Sequence, residues 1–302
     1  LAGRDAALAA RIVAATPPDS ATLYLRPAAG GFYRGFPLKP AGGYRYATAV
    51  PATALREGPA EYLVTLFRGD SALTFPGGVP GKPFDWDFAG GAPWKVDVVS
   101  AATPLLLFDP GVDAPRLAFS RIGDAGRRGL FRLGLSPATG RPVFHLELPV
   151  RPTGGALPDY TASLVIKDRI AARRETIAGA DEVRLRLRGL GARQTLHLTL
   201  MEADGTSWTA AIAVDSAWTD RAVPLAAFSA GRGVLLPEGF PGEWNYWVGP
   251  AAGRGGSGDR PRLDRIERLQ LSLRPDGGAP IAAGTYGVEV ESITLQFGAA
   301  RP

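Results

Sequence analysis

The 302-residue sequence predicts an all-β protein, two tandem β-sandwiches in one chain. Three observations carry that expectation. Apolar residues alternate with polar ones at period two, the mark of half-buried strands. Turn residues interrupt the alternation roughly every 8–12 residues, the rhythm of an antiparallel sandwich. Gly (39) and Pro (27) together exceed a fifth of the chain, short of the about 25–30% that signals low complexity. The chain is therefore turn-rich rather than disordered. Its length, set against about 150 residues per domain, suggests two domains, placed at 1–100 and 101–302.

Residues 4–14 are Ala-rich and fit either a short helix or a leader into the first strand, ended by Thr16, Pro17 and Pro18. From there the period is two. Residues 21–26 and 32–38 read as strands, with Gly30 and Gly31 turning between them. Gly42-Gly43 signals a hairpin into Tyr44, Tyr46, Thr48 and Val50. Residues 61–67 place Tyr62, Val64 and Leu66 on one face, Gly69-Asp70 turns into 72–75, and Trp94, Val96 and Val98 close the segment. The intervening stretch 75–93 carries Phe84, Trp86 and Phe88. An aromatic loop is either a lid packed on its own domain or a contact surface.

Residues 100–104 form a junction too short for a free linker. Strands follow at 105–110, 116–122, 129–135, 143–148 and 159–167. Then Val183, Leu185 and Leu187 point one way and Arg184, Arg186 and Arg188 the other. Leu196, Leu198 and Leu200 point inward, with His197 and Thr199 outward. Asp204-Gly205 is a hairpin turn into Trp208, Ala210, Ile212 and Val214. Leu269, Leu271 and Leu273 repeat the pattern, with Gln270, Ser272 and Arg274 outward. Val288 and Val290 alternate with Glu289 and Glu291, and Ser292 breaks the register as a bulge would.

On residues 21–26, 44–50 and 61–67, followed by Asp70 and residues 74–76, the first segment (12–99) resembles fibronectin type III-like and immunoglobulin-like modules of bacterial secreted proteins. The second (103–298) opens on Leu-Leu-Leu-Phe-Asp. It continues through Ala-Asp-Glu-Val-Arg-Leu-Arg-Leu, Leu-Met-Glu-Ala-Asp-Gly and Trp218 with Val223-Pro224-Leu225 and Phe228. It closes on Gly-Thr-Tyr-Gly-Val-Glu-Val-Glu-Ser-Ile. That order resembles the galactose-binding-like jelly rolls of carbohydrate-binding modules and the related domain of complex I intermediate-associated proteins. The sequence departs from them by a long loop at 235–261 and by the lack of an Asp pair in the closing strand.

The chemistry available is limited. There is no Cys, so thiol nucleophiles, disulfides and Cys-ligated zinc are excluded. His145 and His197 lack a His or Cys partner at zinc spacing. No nucleophile elbow, phosphate loop or dinucleotide fingerprint is present. Glu289 and Glu291, two residues apart on one face, read as a solvated strand face rather than a glycosidase pair. Jelly rolls of this type often hold calcium. Asp109, Asp113, Glu289 and Glu291 are the candidate ligands, with Asp109 alternatively the start of an Asp-Pro turn.

The long loop supplies the clearest binding signal. Phe240, Trp244, Tyr246 and Trp247 lie within eight residues, and rings of this kind stack on the C–H faces of sugars. A loop this long in a compact domain is usually functional or disordered, and four large aromatics argue against disorder; the alternative is that the rings anchor the loop onto its own sandwich or onto the first domain. The polar face read from Arg184, Arg186, Arg188, His197, Thr199, Gln270, Ser272 and Arg274 fits an acidic polysaccharide, an anionic protein or water.

The net charge of +5 comes from 30 Arg and 4 Lys scattered among 29 acidic residues. Without clustering or a reader motif, this points away from nucleic acid. The longest apolar run, 105–108, is far below the roughly 18 residues of a membrane span. The chain starts at Leu1, as it would after removal of a signal segment or as part of a longer protein.

The expected function is thus a non-catalytic binding module of an exported bacterial protein, periplasmic, cell-surface or extracellular, that engages a polysaccharide. The rivals are a periplasmic assembly subunit docked on an envelope protein complex and the accessory region of a glycoside hydrolase. No cofactor beyond a structural calcium is expected.

Overall fold

The computed structural model describes residues 1–121, 130–150, 160–191, 194–235, 245–247, 254–273 and 284–298. It is all-β, with antiparallel pairing throughout. Two compact units are formed, Leu1–Thr103 and Pro104–Pro302.

Unit 1 contains β1 (Ala6–Arg11), β2 (Ser20–Pro27), β3 (Arg34–Pro40), β4 (Arg45–Val50), β5 (Gly58–Arg68), β6 (Ser71–Phe75), β7 (Val79–Pro80) and β8 (Trp94–Val98). The strand order is β1-β4-β3-β2-β5-β6-β7, with β8 on β5. Strand β3 divides its pairing, Arg34 to Leu38 with β2 and then Lys39 and Pro40 with β4. That switch lets the strands enclose one core of Leu23, Leu25, Leu38, Val50, Val64 and Val98. Glycines 42 and 43, at φ of +96° and +54°, make the β3–β4 turn that a side chain would strain. The helix alternative for residues 4–14 is overturned. Those residues form β1, paired with β4 from Ala6 opposite Val50 to Arg11 opposite Arg45. Pairing with β4 and contact of Ala6 and Ala10 with the core outweigh alanine's helix preference.

Phe84, from the aromatic stretch between β7 and β8, reaches the outer side of this sheet, away from Leu23 and Leu25. Phe84 meets Tyr24 edge to face, with centroids 5.5 Å apart. Thr65 and Thr74 are buried on that side and share a 2.8 Å hydrogen bond, and Thr74 also donates to the Gly81 carbonyl.

Unit 2 begins with β9 (Leu105–Phe108), α1 (Pro110–Asp113), β10 (Ala118–Arg121), β11 (Leu130–Leu135), β12 (Pro142–Val150), β13 (Tyr160–Val165) and α2 (Lys167–Ala172). It continues with β14 (Ala180–Gly191), β15 (Gln194–Glu202), β16 (Ser207–Val214), β17 (Thr219–Pro224), β18 (Ser229–Ala230), β19 (Gly233–Leu235), β20 (Asn245–Trp247), β21 (Ile266–Leu273) and β22 (Gly284–Phe297). One sheet runs β10-β13-β21-β15-β16-β18. The other runs β11-β12-β22-β14-β17, with β9 on β22, and β19 and β20 form a separate ribbon. A single core takes Leu164, Leu198, Trp208 and Leu271 from the first sheet and Phe144, Leu185, Leu187 and Val290 from the second. The alternation at 183–187 and 196–200 gives this core its inward side chains. The bulge expected near Ser292 is present. Arg186 faces Ser292 but Leu187 faces Val290, so Glu291 is the extra residue.

Candidate functional site

The first sheet of unit 2 is buried on both faces. Its inner face is the apolar core. Its outer face is a polar grid set by strand register. One row runs Thr161, Ser272, His197 across β13, β21 and β15. The next runs Ser163, Gln270, Thr199, Thr209 and reaches β16. All seven side chains are buried. Thr161 and Ser272 share a 2.7 Å hydrogen bond, and Thr199 and Thr209 one of 2.8 Å. At the β16 end the grid meets exposed Ala211 and Ala213 beside His197, so the face opens there.

The chain from β18 to β19 crosses the second row as a strap. The Gln270 amide holds the Val234 peptide at both groups. Its Nε2 donates to the Val234 carbonyl at 2.7 Å, and its Oε1 accepts the Val234 N–H at 3.0 Å. The approach is close enough that a Cβ on Gly231 would overlap Thr209, and one on Gly233 would overlap Ser207 and Met201. The ribbon β19–β20 pairs Val234 with Tyr246 and Gly233 with Trp247.

The far stem of the same loop is clamped by Glu202, at the end of β15. This fully buried carboxylate accepts the Trp208 indole N–H at 2.7 Å, the Arg254 guanidinium at 2.7 Å and the Arg262 backbone N–H at 2.9 Å. The Arg262 guanidinium also donates to it, and bridges to Asp204. Burial raises the Asp204 carboxyl, but bonds from Thr206 and Arg262 hold it below the ordinary carboxylate value. Glu202 escaped the sequence reading because its partner Arg262 is 60 residues away.

The outward residues taken as one polar face belong to two. Arg184 and Arg186 lie on β14, on the outer face of the other sheet, whereas His197 lies on the strapped sheet. Nor is the His197 face solvated, because the strap covers part of it. Arg186 pairs with Asp220 at 3.0 Å and Arg184 with Glu182 at 2.6 Å. The guanidiniums of Arg186 and Arg188 stand 5.8 and 5.3 Å from the Trp218 ring centre. Of the loop aromatics, Phe240 and Trp244 lie outside the described residues, as does Arg274 of the outward row. Tyr246 and Trp247 are described only as strand backbone.

The four calcium candidates do not converge. Asp109 caps α1 by accepting the Gly111 N–H at 2.9 Å. Asp113, buried, pairs with Arg169 at 2.7 Å and Arg116 at 3.3 Å. Glu291 accepts from Thr139 at 2.8 Å and faces Arg141. Glu289 lies between His145 Nδ1 at 3.0 Å and Arg188 Nε at 2.6 Å, while His145 Nε2 faces Glu147 at 3.0 Å. Among the described residues, no group of three or more His, Asp or Glu is placed to hold a metal ion. Arginines and hydroxyls fill the coordination that a cation would need. Glu289 and Glu291 are therefore buried partners in a charge network, not a solvated strand face.

Burial alone raises the Glu289 carboxyl. Hydrogen bonds from His145 and Arg188, with their charges, overcome it and hold the group below its ordinary 4.5. A folded-state value below the unfolded one gives stability that is complete above about pH 4.5 and lost as pH falls through the depressed value. Wild type and Glu289→Gln are therefore expected to differ most in Tm at neutral pH and to converge as the pH falls below 4.5 and through the depressed value. A difference that stayed constant over that range would contradict the pairing.

No family model matches the chain, and neither does any curated protein. Solved structures similar to the chain include the family 11 carbohydrate-binding module of a cellulosomal cellulase of Clostridium thermocellum. It is 12% identical over 67% of this chain and 99% of that one, with a TM-score of 0.42. The family 11 module from the same organism in complex with a β-1,3-1,4-mixed-linked tetrasaccharide is 13% identical, covers 66% and 99%, and has a TM-score of 0.43. An agarase is 12% identical over 66% of this chain but 25% of its own, with a TM-score of 0.37.

Proposed function

We propose that the chain is a non-catalytic carbohydrate-binding protein of an exported type, with unit 2 a galactose-binding-like jelly roll and unit 1 a fibronectin type III-like or immunoglobulin-like module. The observation that carries this reading is the polar grid of β13, β21, β15 and β16. A strap needs no polar floor in order to pack, and burying polar groups costs free energy that an apolar floor would avoid. Hydroxyls, an imidazole and an amide in two rows are the donors and acceptors that match sugar hydroxyls. Gln270 is taken up by the Val234 peptide and fixes the strap, so the sugar contact falls to the end of the grid at His197. The loop that continues the strap carries Phe240, Trp244, Tyr246 and Trp247 for stacking on the sugar ring. Sugar would enter where His197 meets Ala211 and Ala213.

The test is calorimetric titration of the intact chain with neutral and acidic oligosaccharides, beginning with the mixed-linked β-1,3-1,4 tetrasaccharide. His197→Ala is expected to weaken binding by roughly three- to tenfold, the worth of one hydrogen bond, with its melting followed alongside to separate loss of contact from loss of fold. Unchanged affinity in that variant would remove the grid from the site. No binding to any glycan, with the chain recovered in a stable complex of envelope membrane proteins, would replace the reading with an assembly role.

A further inference from the structure

We infer that unit 1 carries a second, independent glycan-binding site, built around Trp86 on the turn between β7 and β8. Three aromatic residues alternate there, and the structure treats them differently. Phe84 is seated against Tyr24. Phe88 lies across Gly90, where its ring occupies the space of a Cβ. Trp86, between them, is 97% exposed, more than any other large hydrophobic residue among those described.

The exposure does not come from a loose loop. The Asp85 N–H donates to the Lys82 carbonyl at 2.9 Å and the Phe88 N–H to the Asp85 carbonyl at 3.1 Å. The Asp85 carboxylate accepts the Lys82 N–H at 2.8 Å. Upstream, the Gly81 N–H donates to Ala72 and the Gly81 carbonyl accepts from Thr74, tying the turn to β6. The indole is thus presented on two consecutive closed turns, with its backbone ordered before any ligand arrives. Preorganisation of that kind lowers the entropy cost of binding.

The surroundings select the ligand. A protein partner would use a ring of this size as the centre of a larger apolar patch. Phe84 nearby is itself 53% exposed, but Trp86 is flanked in the chain by Asp85 and Asp87, and Asp85 lines an open cleft with Asp70, Ser71 and Lys82. A flat exposed ring with carboxylates on either side of it in the chain, and a polar cleft lined by the preceding Asp85, suits a pyranose. Its C–H face stacks on the indole while its hydroxyls address the charged groups. The ligand class is a neutral polysaccharide chain, met one or two sugar units at a time.

The experiment is native electrophoresis of the intact chain in gels containing a mixed-linked β-1,3-1,4-glucan, a xylan or an agarose-type galactan. Wild type is compared with Trp86→Ala, Trp86→Phe, His197→Ala and the double variant Trp86→Ala, His197→Ala. On at least one polysaccharide Trp86→Ala is expected to lose roughly three- to tenfold in affinity, the worth of one stacked ring. Trp86→Phe should recover most of it, and the same loss should persist in the His197→Ala background. Melting should be unchanged, since the indole touches little of the fold. The polysaccharide that retards the chain should also slow oxidation of Trp86 by N-bromosuccinimide, read by peptide mass. Equal retardation of wild type and Trp86→Ala in every gel overturns the proposal, and so does unprotected oxidation. A variant that changes only self-association, with retardation intact, identifies a protein contact and overturns it as well.

Discussion

Leu185→Asp and Leu198→Asp are each expected to abolish folding of unit 2. Both side chains are 0% exposed and lie in the shared core of the two sheets. An unpaired carboxylate at either position costs several kcal/mol or more, comparable with the roughly 5–15 kcal/mol that holds a whole domain together. Arg186→Asp, one residue away but on the outer face, removes one partly exposed ion pair and sets a carboxylate opposite Asp220. Its cost should be about 1 kcal/mol. Thermal melts of the three variants provide the check. Equal damage from Arg186→Asp would mean that the register of β14 is shifted by one residue, which would exchange the two faces.

The second large effect is expected at Glu202. Glu202→Ala leaves the Trp208 indole N–H and the guanidiniums of Arg254 and Arg262 without their common acceptor. The loss should be roughly 2–4 kcal/mol, at the lower end for a buried pair because Arg262 is 41% exposed and keeps much of its hydration. Adding Arg262→Ala should restore part of that loss, since the double variant strands fewer charges. Calorimetric melting of both variants measures this. A single variant that melts with wild type, or a double variant worse than the sum of the singles, would show that Glu202 does not organise the cage.

Alternation told inside from outside in this sequence, but it did not tell one outside from another. Leu185 and Leu198 were legible as core because period two is a local property of the chain. Arg186 and His197 looked alike because both stand opposite leucines, yet the sandwich sends them to opposite sides of the unit. Burial of the neighbouring Gln270 and Thr199 row depends on a strap some 35 residues beyond Thr199, and no local signal marks a strand face that another segment will cover. Glu289 read as solvated because its partners, His145 and Arg188, lie 144 and 101 residues away and meet it only through cross-strand register. The Ala-rich start was ambiguous for a related reason. Intrinsic preference favoured a helix, and the pairing that overrode it lies with β4. In the 75–93 stretch the aromatic composition was visible, but which rings pack and which stand in water depended on Tyr24, more than 50 residues upstream.

The strap and the Glu202 cage have a consequence for how this protein can change. Residues 236–253 are entered from a peptide gripped by Gln270 and left through arginines gripped by Glu202. Both grips come from strands of the sandwich, not from the intervening sequence. The stems on either side, at Val234 and at Arg254 and Arg262, are therefore fastened separately, each by a different strand residue of the sandwich. A change that released one stem would leave the other held.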